Sequence, residues 1–103
     1  LTDQSLQEAL SQADILLHCS PVGMHPQVDN SLVPPHMLHE GMVVFDAVYN
    51  PRLTKVLTHA PAVGFRPIEG IEMFLGQALV QFELWTGQKA PQDVMRKVVE
   101  ANL

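Results

Sequence analysis

Two kinds of hydrophobic pattern alternate along this chain. Residues 15–19 and 42–48 are short, nearly continuous apolar runs, which are typical of strands buried in a parallel sheet. In four longer segments apolar residues recur every three or four positions, which indicates amphipathic helices. These segments are residues 5–13, 53–60, 70–85 and 91–99. The alternation predicts an α/β fold in which about three parallel strands and four helices form half of a doubly wound sheet.

Proline and asparagine residues set the expected ends of these elements. Asn50 and Pro51 suit the start of the second helix, which Pro61 would terminate. A third, short strand is expected at residues 65–68. Its Pro67 indicates the edge of the sheet or the end of the strand, because proline lacks the N–H that a central strand must donate.

The stretch from Met42 to Pro51 is the most informative part of the chain. A buried strand ends there, and Tyr49, the only tyrosine, stands directly before the Asn-Pro turn signal. In open parallel sheets ligands bind beyond the carboxyl ends of the strands, so Tyr49 stands where a ligand is expected. A core tyrosine with its hydroxyl at the surface fits the same position equally well.

A second candidate surface lies on the long helix. Gly70, Met73 and Gln77 are spaced by three and four residues and therefore share one helical face. Gly70 would let a ligand approach the backbone, and Gln77 offers an amide. The same spacing also fits a Met73 that fills a gap in the core and a Gln77 that meets solvent. Spacing alone favours this second interpretation.

The composition argues against several classes of function. Six basic and eleven acidic residues give a net charge of −5 without a basic cluster, so no nucleic-acid partner is expected. No apolar run has the length of a membrane span and no signal peptide is visible, so no membrane partner is expected either. The lone Cys19 cannot form an internal disulfide, which indicates a reducing compartment such as the cytoplasm.

Other kinds of chemistry find little support in the spacing of the residues. Backbone N–H groups of the loop at residues 20–24 could meet a cofactor, but a plain turn is the commoner explanation, and no G-x-G-x-x-G is present. Five histidines without a cysteine cluster or a carboxylate pair predict no metal site. Cys19, flanked by apolar residues in a strand, is expected to be inert. No spacing supports a triad of Ser20, His59 and Asp46.

Three blocks of sequence together resemble the C-terminal part of the shikimate dehydrogenase family. Residues 13–24 (ADILLHCSPVGM) resemble the family's A-D-x-x-x-N-x-T/S-P-x-G-M block. Residues 44–51 (VFDAVYNP), with Thr54 and Leu57, resemble its D-x-x-Y-x-P-x-x-T-x-L block. Residues 70–85 (GIEMFLGQALVQFELW) resemble its G-x-x-M-L-x-x-Q-A-x-x-x-F-x-x-W block. The blocks span nearly the whole chain, in the family's order and at its spacing.

The resemblance implies an enzyme that reduces 3-dehydroshikimate to shikimate with NADPH, in the pathway to aromatic amino acids. It also implies a partial Rossmann-like parallel sheet with flanking helices, in which residues 1–103 are the second half of the NADP-binding domain and the C-terminal helices. Matching by motif assigns Tyr49 and Gln77 to the substrate. The positions assigned to the cofactor are Ala47, Gly70 and Met73 on the nicotinamide side, and Ser20, Val22 and Met24 in the loop that lines the NADP site.

Three positions depart from the family's pattern. His18 replaces the usual Asn, so the family's polar contact at that position cannot be carried over. Phe74 replaces a common Leu, and this exchange is expected to be neutral. Ala47 is smaller than the usual bulky apolar residue, so looser packing against the nicotinamide is expected.

A larger departure concerns segments of the family that have no counterpart here. The family's catalytic Lys and Asp, its Gly-rich loop and its basic residues for the 2′-phosphate lie in N-terminal segments. We therefore expect a fragment with no catalytic residue of its own, which is inactive without that N-terminal part. A quinate/shikimate dehydrogenase fragment and a non-catalytic binding or assembly module fit the same blocks. The uncovered sheet edge beside residues 15–19 is expected to make the fragment self-associate or unfold readily.

Overall fold

A computed structural model describes all 103 residues and contains one parallel sheet with strand order β1-β2-β3. The strands are β1 (Ile15–His18), β2 (Val43–Asp46) and β3 (Arg66–Ile68). The helices are α1 (Asp3–Ser11), α2 (Ala60–Val63), α3 (Gly70–Thr86) and α4 (Gln92–Ala101). Two single 3₁₀ turns lie at Pro35–Met37 and Leu57–His59. The predicted α/β fold of three parallel strands with flanking helices is confirmed.

The central strand, β2, organises the core because it pairs with both of its neighbours. His18 of β1 lies opposite Asp46, and Ile68 of β3 lies opposite Phe45. Side chains alternate between the two faces of a strand, and Val44 and Asp46, which share a face, are both fully buried. The main apolar core consists of Leu10, Val33, Met37, Leu38, Met42, Val44, Val56, Leu57, Ala60 and Phe65.

The first strand is less buried than its apolar sequence predicts. Leu16 packs against the main core and His18 is buried, whereas Ile15 and Leu17 are 59% and 66% exposed. β1 is an edge strand, and no element of this chain covers the face on which Ile15 and Leu17 lie. The prediction of a buried strand at residues 15–19 is therefore wrong for one of its two faces.

The segment after β2 is not the continuous helix that its periodicity predicts. The chain passes through a cis peptide bond before Pro51 and becomes helical only from Leu57 onward. Thr54 is buried, and its hydroxyl donates a hydrogen bond to the Asp46 carboxylate at 2.7 Å. Tertiary contacts of this kind override a helical pattern. Pro61 lies in the first turn of α2 instead of ending a helix, because first-turn N–H groups have no partner within the helix.

The last helix, α4, is joined to the rest of the chain by ion pairs, and none of its residues is buried. Arg96 forms a bidentate pair with Glu72 of α3, with nitrogen–oxygen distances of 3.0 and 2.8 Å. Arg52 reaches Glu69 at 2.6 Å and Glu100 at 3.4 Å. The network thereby connects the segment after β2, the start of α3 and the last turns of α4.

The longest helix, α3, confirms the helix predicted at residues 70–85, but its environment changes along its length. Ile71 and Leu75 near its start are buried, whereas Leu84 and Trp85 near its end are 77% and 79% exposed. Neither this helix nor any other in the chain is long and apolar enough to cross a membrane.

The start of α3 lies very close to the end of β2. A Cβ atom at Gly70 would lie 2.6 to 2.7 Å from the carbonyl oxygens of Asp46, Ala47 and Val48. Side-chain carbons do not approach backbone oxygens this closely, so the contact requires glycine. The space on the Cβ side of Gly70 is filled by backbone of the same chain, so the close approach on that side is made by the end of β2 and not by a ligand.

Replacing Gly70 by alanine is expected to lower the free energy of unfolding by about 1–3 kcal/mol, because the added methyl group pushes α3 away from β2. Gly76 of α3 is the matched control, since nothing lies within 4 Å of a Cβ atom built there. Gly76→Ala is expected to raise stability by about 0.5–1 kcal/mol, because alanine favours the helix. Urea denaturation followed by circular dichroism measures both variants. An unchanged stability of Gly70→Ala would contradict the close contact.

Candidate functional site

A cavity of about 500 Å³ opens where β1 and β2 end. One wall is the loop after β1, at residues 19–21 and 24–25, and the other is the segment after β2, at residues 47–50. Ligands of open parallel sheets bind at this edge, just beyond the carboxyl ends of the strands. The cavity therefore lies where the sequence predicts a ligand.

A chain of hydrogen bonds joins the ends of both strands to the loop after β1. Nδ1 of the buried His18 lies 3.0 Å from Oδ1 of Asp46, and Nε2 of the same ring lies 2.7 Å from Oγ of Ser20. Asp46 also accepts hydrogen bonds from the Val48 N–H at 3.0 Å and from the Thr54 hydroxyl at 2.7 Å. No buried polar side-chain atom of the chain is left without a partner.

The charge of Asp46 is set by this network. Burial alone would raise the pKa of its carboxyl. Hydrogen bonds from His18, Thr54 and the Val48 N–H outweigh burial, and they hold the pKa of Asp46 below its usual value. The carboxyl is therefore an anion at neutral pH, and the site contains a fixed negative charge.

The spacing of residues along the chain does not single out His18. The histidine that lies between Ser20 and Asp46 is His18, and not His59. A signal for this contact was available, because His18 and Asp46 are each the one polar residue within an apolar run. Parallel pairing of those two runs brings the residues opposite one another.

Tyr49 lines the cavity, and its ring stacks on the ring of Phe74 in α3. The ring centroids are 4.4 Å apart and the planes are inclined by 27°. A leucine at position 74 could pack against Tyr49 but could not form this aromatic contact. The stack connects the wall of the cavity to the first turns of α3.

The structure brings four of the predicted site residues into one cavity: Ser20, Met24, Ala47 and Tyr49. Two others lie beside it. The Val22 N–H donates to Oγ of Ser20 at 3.3 Å, and Gly70 lies against the carbonyl groups of residues 46–48.

Met73 and Gln77 are not among the residues that line this cavity. Met73 is 49% exposed, so the interpretation that it fills the core is wrong. Gln77 is exposed, and its Nε2 donates a hydrogen bond to the Phe74 carbonyl at 2.9 Å. Both residues follow Gly70 on α3, whose start is fixed against the end of β2.

The structure contains neither a buried cysteine nor a cluster of metal ligands. Cys19 lies one residue beyond the end of β1 and is exposed, so its placement within a buried strand was wrong. No group of three or more His, Cys, Asp or Glu side chains could hold a metal ion.

Asp46→Asn is expected to lower the free energy of unfolding at neutral pH by about 2–4 kcal/mol, because an amide cannot accept all of the hydrogen bonds that the carboxylate accepts. The pKa of Asp46 is lower in the folded chain, so the carboxylate stabilises the fold above the unfolded value of about 3.9. This stabilisation is lost as the pH falls through the folded pKa. Urea unfolding between about pH 7 and pH 3 measures the effect.

Asp29→Asn is the control for this measurement, because Asp29 is exposed. Its stability is expected to follow that of the parent chain across the whole pH range. A difference between Asp46→Asn and the parent chain that stays constant on acidification would contradict the assigned charge.

Comparison with known proteins identifies relatives that match along the entire chain. A protein-family profile described as "Shikimate 5'-dehydrogenase C-terminal domain" matches residues 70–100. The shikimate dehydrogenase (NADP(+)) of Dehalococcoides mccartyi is 45% identical over 103 residues, which are 100% of this chain and 36% of that protein. The chain thus spans about a third of the length of the relatives that it matches.

Solved structures show the same fold. A shikimate dehydrogenase in complex with NADP+ superposes with a TM-score of 0.87 at 35% identity, over 94% of this chain and 34% of that one. A quinate dehydrogenase from Corynebacterium glutamicum in complex with NAD also has a TM-score of 0.87, at 28% identity, over 95% of this chain and 34% of that one. Along its whole length the chain is therefore similar to about a third of a shikimate dehydrogenase.

Proposed function

We propose that this chain forms one wall of the active site in an NADP-dependent shikimate dehydrogenase. The whole enzyme would reduce 3-dehydroshikimate to shikimate with NADPH, in the shikimate pathway. One observation carries this function: Ser20, Ala47 and Tyr49, which come from two of the three family motifs, share one cavity at the carboxyl edge of the sheet. The 45% identity to a shikimate dehydrogenase along the full chain supports it.

The lining of the cavity fits a nicotinamide ring. Met24, Ala47 and Val48 offer apolar surface, Tyr49 offers an aromatic edge, and Ser20 offers one hydroxyl. NADPH supplies the hydride when it is bound. We assign the cofactor to Ala47, Gly70 and Met73 on the nicotinamide side and to Ser20, Val22 and Met24 in the loop after β1. Gly70 would act through its backbone, since it sets the distance between α3 and β2.

We assign the substrate to Tyr49 and Gln77. The stack on Phe74 fixes the plane of the Tyr49 ring, so the direction of its hydroxyl is set before a substrate arrives. Gln77 lies one turn beyond Met73, and its amide is bonded to the Phe74 carbonyl. Rotation of this exposed side chain exchanges that local hydrogen bond for one to a hydroxyl group of the substrate.

Proton transfer to the carbonyl oxygen requires a further group. In our proposal this group is the family's Lys and Asp pair, in an N-terminal part of the same protein with which this chain would assemble. The chain by itself would then be inactive, because hydride transfer needs both reactants held in a productive geometry. A cytoplasmic location agrees with the free thiol of Cys19.

Quinate is a second candidate substrate. The quinate dehydrogenase of Corynebacterium glutamicum and the NADP+ complex of a shikimate dehydrogenase superpose on this chain with the same TM-score of 0.87. Quinate and NAD+ therefore belong in the same assay as shikimate and NADP+.

A chimera tests this function. The present chain replaces the matching 36% of the Dehalococcoides mccartyi enzyme, whose remaining length completes the active site. We expect the chimera to oxidise shikimate with NADP+ and to use quinate or NAD+ poorly. Tyr49→Phe and Gln77→Ala are each expected to lower kcat/KM for shikimate by roughly tenfold or more, because a polar group of the bound substrate loses its partner.

Gln81→Ala is the matched control, since Gln81 is an exposed glutamine one turn further along α3. It should leave kcat/KM unchanged. A folded chimera without activity, or equal losses in the Gln77 and Gln81 variants, would contradict the assignment. Activity of the unfused 103-residue chain with shikimate and NADP+ would show that the N-terminal part is dispensable.

We propose further that the chain by itself associates through β1. The edge of this strand is unpaired, and Ile15 and Leu17 are 59% and 66% exposed beside it. Exposed apolar edges pair readily with strands of other chains. Sedimentation velocity is expected to show species larger than a monomer, and Leu17→Lys is expected to reduce them. A single monomeric species of the parent chain would disprove the association.

A further inference from the structure

Ser20 stands at the end of a buried series of hydrogen bonds, and this series decides where its hydroxyl proton points. Oγ of Ser20 lies 2.7 Å from Nε2 of His18, and Nδ1 of the same ring lies 3.0 Å from Oδ1 of Asp46. His18 and Asp46 are 8% and 0% exposed, so water has little access to either side chain. The three groups therefore have to satisfy one another.

Only one arrangement of protons satisfies all three groups when His18 is neutral. The Asp46 carboxylate can only accept hydrogen bonds, so Nδ1 of His18 carries the ring proton. Nε2 is then unprotonated and can only accept. The hydroxyl proton of Ser20 must therefore point to Nε2, and it is not available to a ligand.

We propose that this arrangement makes Ser20 a hydrogen-bond acceptor toward the cavity. The part of the cavity that faces Ser20 then binds a ligand group with an N–H or O–H, such as a carboxamide. It rejects a carboxylate or a phosphate, which can only accept. One lone pair of Oγ accepts the Val22 N–H at 3.3 Å, and the other is free for the ligand. His18 and Asp46 act through Ser20 as positioning residues. This selection goes beyond the proposed dehydrogenase function and does not depend on it.

The same order of side chains occurs in hydrolases that use a serine nucleophile. A nucleophilic serine also requires N–H donors aimed at the oxyanion of the intermediate. The backbone N–H that reaches Ser20, that of Val22, is directed at Oγ itself. The geometry therefore favours a fixed orientation of the hydroxyl over acyl transfer.

Long-range ¹H–¹⁵N NMR spectra of the chain with ¹⁵N-labelled histidine show which ring nitrogen of His18 carries the proton. His18→Gln removes one of the five histidine signals and thereby assigns it. The expected result at neutral pH is a ring that is protonated on Nδ1. A proton on Nε2 would make Ser20 a donor to the cavity and would overturn the proposal.

Benzamide and benzoate test the selection, because they share one shape and differ in carrying N–H donors or only acceptor oxygens. NMR titrations that follow the backbone amides of residues 20 and 22 are expected to show benzamide binding roughly five- to tenfold more tightly. Ser20→Ala should abolish this preference. Ser20→Thr, which keeps a hydroxyl, and Ser11→Ala, an exposed serine of α1, should retain it.

Several results would overturn the selection: equal affinities, tighter binding of benzoate, no effect of either probe on residues 20 and 22, or a preference that survives in Ser20→Ala. Neither probe contains a dinucleotide or a substrate of the dehydrogenase. Failure of this experiment and failure of the chimera assay are therefore distinguishable.

Discussion

The buried carboxylate of Asp46 is the constraint on which the rest of this structure depends. A charged group that is buried away from solvent is tolerated only when other groups form the hydrogen bonds that it can accept or donate. Here the partners come from three places in the chain: His18 of β1, the backbone of Val48 just beyond β2, and Thr54 in the irregular segment that follows. Satisfying one carboxylate therefore fixes the positions of three separate segments around the end of the sheet.

A steric contact at Gly70 positions α3 against the end of the same strand. The backbone of α3 meets the carbonyl groups at the end of β2 at Gly70, and one turn later Phe74 meets the ring of Tyr49. The ion pairs of Arg52 and Arg96 connect the same region to α4, although exposed pairs of this type add little stability. Polar, steric and aromatic contacts thus converge on the few residues that follow β2.

The pattern of apolar residues was sufficient to predict the sheet and α3, because the spacing typical of strands and of helices was clear in those segments. It failed after β2, where Thr54 turns inward to Asp46 and the predicted helix at 53–60 is replaced by turns. The cavity residues came from motif resemblance and from their position at a strand end. The contact of His18 with Asp46 could not follow from either strand alone, since it exists only once the register of β1 and β2 is set.

The contact at Gly70 also limits how α3 can move. Three carbonyl oxygens lie against the point where the helix starts, so a shift of Gly70 toward the end of β2 meets backbone at once. Its far end, with Leu84 and Trp85 exposed, meets no such obstacle. A displacement of the far end is therefore less restricted than a displacement of residue 70 itself. Met73, which lies one turn from this contact, is therefore held more firmly against the sheet than Trp85.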